Sequence, residues 1–428
     1  SNRTKQISLI SIIQNKNPNY RWVILAISFL LMTVVNGMTF GGPTVFDDLL
    51  LENLKNASGE PISRAELKFR ESIMIWSAAG FGFLSGTFAD KFGVKPIMLT
   101  GLLLFSSLYF IFVDVETLTD IYLIYLGFGP CLIFVGSLTN VILISKWFTK
   151  NRALGLGIMA AGSSIGSAFL TPFYAWLMNY MDWRSVIYFN AFIPLIMIVI
   201  VLFLLHERPI QTRSSSNQKD VLMSGFLFTE ALKSKNLWFL ILMAMCIFYT
   251  MMGMTTNAFL FLRDSGFDRQ VASVSATILF MGSLIGKISC GFFAERFGRK
   301  KVLISYFIGF ISGSILLTIA AGTKDAVFIW FGLGIFGTGF GGIYTLKQLL
   351  SADLFGLRSL GKITGLINLT DTIGSGLGPV MTALFFDMTG NYQTSFLIIT
   401  CVTCLGLIFS LFLDINDNEI ERSKSESG

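Results

Sequence analysis

The sequence predicts an all-α membrane protein with twelve transmembrane helices in two pseudo-symmetric six-helix bundles. Apolar stretches of about 20 residues recur along the chain, and an α-helix of that length crosses the hydrocarbon core of a bilayer. Only 14% of the 428 residues are charged and 53% are hydrophobic, whereas soluble domains are about 25% charged. A segment of the first half also reappears in the second half, which indicates two copies of one plan.

The predicted spans are separated by polar connections that rarely exceed a short loop. In chain order the spans are 22–45, 71–89, 97–113, 119–145, 153–178, 185–205, 236–262, 271–294, 302–321, 326–346, 360–385 and 392–414. The longest inner connection, 206–235, is interpreted as a cytoplasmic linker. It divides the chain into an N-terminal bundle, 1–205, and a C-terminal bundle, 236–414, and residues 415–428 form a cytoplasmic tail.

Lysine and arginine are distributed unevenly between the two sets of connections. With both termini in the cytoplasm, the cytoplasmic segments and the inner ends of the spans carry 23 of the 32 basic residues, and the outer segments carry eight. Positively charged residues are enriched in cytoplasmic loops. We therefore expect a multi-pass protein of the cell (inner) membrane with both termini cytoplasmic, functional as a monomer within the lipid bilayer.

The same composition argues against several other classes of protein. The basic residues lie at segment ends, as topology signals do, so no nucleic-acid partner is expected. All five cysteines lie in apolar segments, and the one histidine, His206, lies at a segment end. A metal site, a cofactor and a Ser-His-Asp triad are therefore not expected, and neither is an enzyme. A nucleotide-binding loop is also missing from the sequence.

The repeat is a charged turn that follows the second span and again the eighth. Residues 86–95 and 291–300 match at an offset of 205, and Arg152 matches Arg358 at an offset of 206. We expect the first glycine to permit close helix packing, the acid to pair at the inner helix end, and the last glycine to allow a tight turn. This contact would break as the bundles move. The motif residues are Gly86, Asp90, Lys91, Gly93, Gly291, Glu295, Arg296, Gly298, Arg152 and Arg358.

These turns resemble those of the major facilitator superfamily, in which the loops after helices two and eight carry this motif. The resemblance covers nearly the whole chain and implies the major facilitator fold with a substrate site between its halves. A narrower resemblance is to the monocarboxylate transporter and oxalate–formate antiporter branch. The stretches that carry it are Lys146–Gly157, Ala161–Gly166, Asp182–Arg184, Ala352–Gly356, Gly378–Pro379 and Asp387–Tyr392.

Lys287 is a charged residue inside the eighth span, where charges are costly and usually functional. In the branch that the chain resembles, a basic residue four positions before the motif glycine binds the substrate carboxylate. That position here is Lys287, which the resemblance therefore implies as a substrate-binding residue. The alternative is a lysine whose ammonium group reaches the inner surface or is neutralised by an internal acid.

Asp371 lies in the eleventh span on a polar face that also holds Asn368. Burial favours the neutral form of a carboxyl group, so Asp371 is a candidate for proton coupling. It is also a candidate gate that releases Lys287 when substrate arrives. The alternative is a fixed structural ion pair with Lys287. Lys347 and Asp353 are interpreted as interfacial anchors at the inner end of the tenth span.

Other polar side chains are candidates to complete a substrate site, although each could instead be a helix-packing contact. They are Tyr249, Asn257, Asn36 and Asn368. Together these residues predict a secondary transporter of small organic anions such as monocarboxylates, coupled to protons and working by alternating access. One alternative is a transporter of an amino acid or another small zwitterionic or neutral metabolite, and another is a transporter-like sensor.

Overall fold

A computed structural model of the chain describes residues 19–56, 58–148, 152–206, 226–356 and 358–415, and describes the backbone alone for 83–90 and 152–153. These residues are almost entirely helical. The long helices are α1 (Tyr20–Asn53), α2 (Arg64–Phe92), α3 (Val94–Phe112), α4 (Leu118–Trp147), α5 (Arg152–Leu177), α6 (Trp183–Leu204), α7 (Lys235–Asp264), α8 (Arg269–Phe297), α9 (Arg299–Thr323), α10 (Ala326–Phe355), α11 (Leu360–Thr389) and α12 (Tyr392–Leu411).

The predicted all-α membrane fold is confirmed. Within the described ranges, ten helices are long and apolar enough to cross a membrane. The other two long helices are α2 and α11, which carry more charged, glycine and threonine residues. The count of twelve membrane spans therefore remains a prediction.

Helix α1 is interrupted where its sequence reads Gly41-Gly42-Pro43. Regular α-helix ends at Asn36, a π-helical turn covers Gly37–Gly41, and a 3-10 turn covers Gly42–Phe46. Such irregular turns free backbone groups that need new partners. The Tyr109 hydroxyl of α3 donates a hydrogen bond of 2.5 Å to the Met38 carbonyl oxygen and supplies one of them.

Helix α4 is also broken, between its parts Leu118–Phe134 and Ser137–Trp147. The buried Asn140 side chain donates to the carbonyl oxygens of Val135 and Gly136, at 2.6 and 2.7 Å. The side chain thus supplies a donor for the Val135 carbonyl group at the break and shares the Gly136 carbonyl group with the backbone amide of Asn140. This use of Asn140 is structural.

The contacts divide the chain into two compact units. The first includes the described residues of 1–61 and 76–212, and the second includes those of 62–75 and 213–428. In the first unit α1 packs against α5, and α3 packs against α4 and α6. In the second, α10 packs against α8 and α9, and α7 packs against α11 and α12. The predicted linker and tail fall largely outside the described residues, and the predicted bundle boundaries stay predictions.

The first turns of α2 belong to the second unit and are fixed there by Arg64. Its guanidinium group binds both carboxylate oxygens of Asp264, at 2.5 and 2.9 Å, and the Tyr392 hydroxyl at 2.8 Å. It also lies 3.9 Å from the ring centroid of Phe386. Asp387 accepts hydrogen bonds from the backbone amides of residues 64 and 65, so it caps the helix.

The charge state of Arg64, which precedes the predicted span 71–89, follows from these contacts. Burial alone lowers the pKa of its guanidinium group. The hydrogen bonds to Asp264 and Tyr392 and the charge of Asp264 outweigh burial, so the pKa is raised overall. The group therefore stays positively charged, and its two bonds to Asp264 are charge-assisted.

In both units, a lysine from the repeated turn binds carbonyl groups at the C-terminal end of the last helix. Lys95 donates to the carbonyl oxygens of Leu202 and Leu205, at 2.8 and 2.9 Å. Lys300, at the equivalent position of the repeat, donates to the last carbonyl groups of α12, at 3.4 and 3.1 Å. Positive charges at helix C-termini bind unsatisfied carbonyl groups and oppose the helix dipole. The sequence repeat is therefore accompanied by a repeat of these lysine–carbonyl hydrogen bonds.

Candidate functional site

Four helices of the second unit bring six side chains together, which we call the lysine cluster. Its members are Phe248 of α7, Lys287 of α8, Tyr344 and Lys347 of α10, and Asn368 and Asp371 of α11. Two ammonium groups and one carboxylate therefore share a setting formed largely by aromatic rings. Three of these residues, Lys287, Asn368 and Asp371, were predicted as site residues from the sequence.

Lys347 lies at the centre of the cluster. Its ammonium group donates a short hydrogen bond to Asp371 and a longer one, 3.4 Å, to the amide oxygen of Asn368. It also lies 4.6 Å from the ring centroid of Phe248 and 5.7 Å from that of Tyr344. The residue is 4% exposed. Lys347 is therefore a buried ion-pair partner with two cation–π contacts.

The prediction that Lys347 is an interfacial anchor is wrong. It was based on an apolar span that ends at 346, whereas α10 continues to Phe355. Eight residues of helix follow Lys347, which is roughly 12 Å of helix. The hydrophobic stretch ends where the buried polar cluster begins, so hydropathy places the end of this helix too early.

Asp371 is 5% exposed, and its bonded cation is Lys347 and not Lys287. The sequence-based pairing of Asp371 with Lys287 is therefore not found in this structure. Lys347 binds Oδ2 of the carboxylate. The other oxygen, Oδ1, is buried and has no hydrogen-bond partner among the described residues. Buried polar atoms normally find partners, so this oxygen stands out as a place for a proton or a ligand.

Lys287 approaches the cluster from α8. Its ammonium nitrogen lies 5.2 Å from the ring centroid of Tyr344, the ring that Lys347 also contacts. Ser283, one turn earlier on α8, is buried, and its hydroxyl has no partner among the described residues. Lys287 thus lies against an aromatic ring of α10, one turn from a buried hydroxyl group, and its role in substrate binding stays a prediction.

Glycines fix the helices that carry these side chains. Gly341 of α10 lies against the Ser283 carbonyl group, and Gly286 of α8 lies against that of Thr338; a Cβ atom at either glycine would overlap those oxygens. Gly374 and Gly378 of α11 lie equally close to the backbone of α7. Two helix pairs, α8 with α10 and α7 with α11, are therefore packed backbone to backbone. The Lys347–Asp371 bond connects the two pairs.

A family comparison decides the class of the protein. The model of the Major Facilitator Superfamily matches residues 25–370 and 263–428. The chain belongs to the Major Facilitator Superfamily. It is therefore a membrane transporter in class and not an enzyme, which confirms the resemblance and the fold class expected from the sequence.

Relatives and solved structures agree with the family. This facilitator is 23% identical to an uncharacterized MFS-type transporter, YcxA, of Bacillus subtilis, over 91% of this chain and 94% of that protein. It is also 23% identical to monocarboxylate transporter 13 of Bos taurus, over 72% and 71%. The nucleoside transporter NupG is similar in fold, with a TM-score of 0.72, 17% identity, and coverage of 92% and 99%.

Two of the other candidate residues in the facilitator's second unit lie at the contact between α7 and α11. The Asn257 amide of α7 donates to its own helix at Gly253, at 2.9 Å, and across to the Pro379 carbonyl group of α11, at 3.3 Å. Tyr249 is half-buried, and its backbone carbonyl group lies against Gly378. Asn36 belongs to the first unit, where its amide donates to the Met32 carbonyl group at 3.0 Å. None of the three contacts the lysine cluster through a bond that the described residues form.

The facilitator motif shows its predicted turn. Gly93 and Gly298 have φ angles of +83° and +88°, a region that side chains with a Cβ atom rarely adopt. The expectation that Gly291 allows close packing is wrong, since an added Cβ atom would meet no described atom within 4 Å. The exposed members of the motif are Lys91, Glu295, Arg296 and Arg358. For Gly86, Asp90 and Arg152 the structure describes the backbone alone.

An ion pair of the second motif was not predicted. Buried Arg299, the residue after Gly298, binds the Asp353 carboxylate at 2.7 Å near the end of α10. Asp353, interpreted from the sequence as an interfacial anchor, therefore has an arginine partner that the sequence analysis did not assign. The charge-bearing contact of this motif is made by its arginine, while the acid, Glu295, faces outward.

Proposed function

We propose that this facilitator is a secondary transporter of small organic anions, monocarboxylates among them, coupled to protons. The observation that carries the proposal is the lysine cluster, in which two ammonium groups and one carboxylate share one buried aromatic setting. An ammonium group in a setting of low dielectric constant attracts an anion strongly, and a carboxylate substrate is such an anion. Several relatives are named monocarboxylate transporters, which supports the same substrate class.

In this proposal Lys287 binds the substrate carboxylate and Asp371 takes up the coupled proton. The site is exposed alternately to the two sides of the membrane as the protein changes conformation. Asn368 belongs to the same cluster, and Tyr249, Asn257 and Asn36 remain candidate substrate-binding residues. The uneven distribution of basic residues supports a cell-membrane protein with both termini in the cytoplasm.

The cluster favours an anion over a zwitterion. A zwitterionic metabolite would need a carboxylate that is available for its amino group. Asp371 already binds Lys347, so an amino group at its other oxygen would add a third positive charge to a buried cluster that has one carboxylate. A sensor would bind the same anion but would not accumulate it.

Uptake by purified protein in liposomes tests this function. An inward proton gradient is imposed, and accumulation of labelled lactate is compared with that of pyruvate, oxalate and alanine. We expect gradient-driven accumulation of at least one organic acid and none of alanine. Accumulation of alanine alone would favour the amino-acid alternative, and binding without accumulation would favour the sensor.

Two variants of Lys287 test whether this residue binds the substrate. Lys287→Gln should abolish uptake, whereas Lys287→Arg should retain part of it because the charge remains and the geometry changes. Lys301→Gln is the matched control, since Lys301 is exposed and is not part of the lysine cluster. Unchanged substrate affinity in Lys287→Gln would remove Lys287 from the site.

A further inference from the structure

The second ammonium group of the lysine cluster has no role in the function as proposed so far. Lys347 is as buried as Asp371 and is held by one carboxylate oxygen, one amide oxygen and two aromatic rings. A buried ion pair is weak evidence for stability by itself, because desolvation can cancel its Coulombic gain. The rings and Asn368 would remain if the carboxylate lost its charge. The setting thus suits a lysine that can change partners.

We infer that Lys347 is a second substrate-binding cation, which Asp371 holds until it is protonated and which then binds the carboxylate of the substrate. This inference rests on the proposed function and names a further residue of that site. The proton comes from water on the side to which the site is open and forms an O–H bond on the Asp371 carboxyl group. One O–H bond of the hydronium ion that supplies the proton breaks and leaves water, the negative charge of Asp371 is removed, and its ion pair with Lys347 is released.

The charge of the cluster makes the exchange favourable. With Asp371 ionised, the cluster has two positive charges and one negative charge. Adding one proton to Asp371 and one carboxylate from the substrate leaves that sum unchanged. Protonation of Asp371 alone would leave two positive charges and no negative charge in the cluster, which is costly, and the negative charge of the substrate carboxylate offsets that cost. Binding of the proton and binding of the anion therefore favour each other.

The surrounding groups support the exchange. Among the described residues, the ionisable side chains that contact Lys347 are Tyr344 on its own helix and Asp371 on α11, and α7 contributes the ring of Phe248. Lys287 on α8 contacts the same Tyr344 ring. Oδ1 of Asp371 is buried and has no partner among the described residues, so a proton has an unoccupied oxygen to bind. Glycine contacts between α8 and α10 hold Lys287 and Lys347 on one rigid pair of helices.

Three variants of the full-length protein separate this exchange from a purely structural pair. Asp371→Asn mimics the protonated acid and leaves Lys347 in place. Lys347→Gln with Asp371→Asn replaces the ion pair by a neutral pair of similar size, which should fold even if Asp371→Asn alone is unstable. Lys301→Gln is the surface control. Thermal unfolding in detergent reports whether each protein is folded.

The measurement is binding of lactate, pyruvate and oxalate to the purified proteins, in buffers from mildly acidic to mildly alkaline, with proton uptake followed in weakly buffered solution. Wild type should bind an anion more weakly as pH rises and take up protons on binding. Asp371→Asn should bind without pH dependence and without proton uptake. The double variant should lose about tenfold or more in affinity relative to Asp371→Asn, because one charge-assisted contact is gone.

The possible failures are distinguishable. If wild type binds none of the three anions at any pH, the proposed function is wrong and the inference falls with it. If wild type binds one of them and the double variant binds it as tightly as Asp371→Asn, Lys347 does not contact the substrate and the inference alone is wrong. If Asp371→Asn keeps the pH dependence of wild type, Asp371 is not the group that takes up the proton, and the pair is structural.

Discussion

The ring of Tyr344 contacts two ammonium groups and helps to stabilise both of them in an apolar unit. The face of an aromatic ring carries partial negative charge, so an ammonium group against it loses less on leaving water than it would against an aliphatic side chain. Lys287 and Lys347 approach this ring at 5.2 and 5.7 Å from its centroid. One aromatic residue thereby stabilises two cations that belong to different helices.

Removing this ring is expected to affect both lysines. Tyr344→Leu should lower the free energy of unfolding by about 1–2 kcal/mol beyond the loss of packing, the range of a desolvated cation–π contact. Tyr344→Phe keeps the ring and should unfold close to wild type. Thermal unfolding of the two variants in detergent is the measurement. Equal destabilisation by Phe and Leu would show that the hydroxyl group, and not the ring, is what matters.

At this scale, sequence reasoning found the charged residues and missed how they pair. Lys287 and Asp371 stand out because each interrupts an apolar span, and that signal is reliable. Lys347 follows the last apolar residue of its predicted span, so its position along the helix could be interpreted as the membrane surface. Which charged residues pair depends on which helices are adjacent, and a single sequence contains no direct signal for helix adjacency.

The glycine contacts between helices determine which side chains can meet. In α8, α10 and α11 pairs of glycines recur four residues apart, at Gly282 and Gly286, Gly337 and Gly341, and Gly374 and Gly378. That spacing puts both glycines on one face, where two backbones can approach closely. Side chains just outside the contact, such as Lys347 and Lys287, are then held at a set separation.

Adding one methyl group to such a contact should be costly. Gly341→Ala places a Cβ atom against the Ser283 carbonyl group and should lower the free energy of unfolding by about 1–3 kcal/mol. Gly309→Ala in α9 is the matched control, because a Cβ atom there meets no described atom within 4 Å. It should be neutral or stabilising by up to about 1 kcal/mol, since alanine favours helix. A similar loss in both variants would contradict the packing argument.

Hydropathy located the helices well and their ends less well. The predicted span 326–346 is the apolar part of a helix that extends to Phe355, and the predicted span 22–45 belongs to a segment that ends at Asn53. A hydrophobic run marks where side chains avoid water, whereas a helix continues as long as its backbone bonds are satisfied. The sequence analysis also missed the break in α4. A glycine, Gly136, followed by a polar residue within an apolar span, Asn140, could have indicated it.

At the scale of the whole molecule, the two units share a glycine turn and a helix-capping lysine as well as their helices. The positive φ of Gly93 recurs at Gly298, and the helix-capping role of Lys95 recurs at Lys300. The duplicated turn in the sequence predicted this correspondence. The grouping of residues 62–75 with the second unit was not predicted, because it follows from contacts between residues far apart in sequence.

Breaking the Arg64 contact should release the beginning of α2 from the second unit. Arg64→Ala removes the bonds to Asp264 and Tyr392 and the contact with Phe386. Amide hydrogen exchange of residues 62–75 should then be at least about fivefold faster, which corresponds to roughly 1 kcal/mol of local stability. Lys55→Ala, at an exposed position, is the control. Unchanged exchange in Arg64→Ala would show that other bonds hold this segment, such as those that the Lys68 and Ser72 side chains donate to the carbonyl groups of Thr256 and Gly376.

The position of Arg64 has a consequence for the order in which the chain is assembled during synthesis. Its partners Asp264 and Tyr392 are 200 and 328 residues further along the chain, so neither exists when α2 leaves the ribosome. The start of α2 must therefore wait for most of the protein to be translated before it reaches its final place. Until Tyr392 has been added, the nascent chain holds this charged segment without the bonds that fix it in the finished protein.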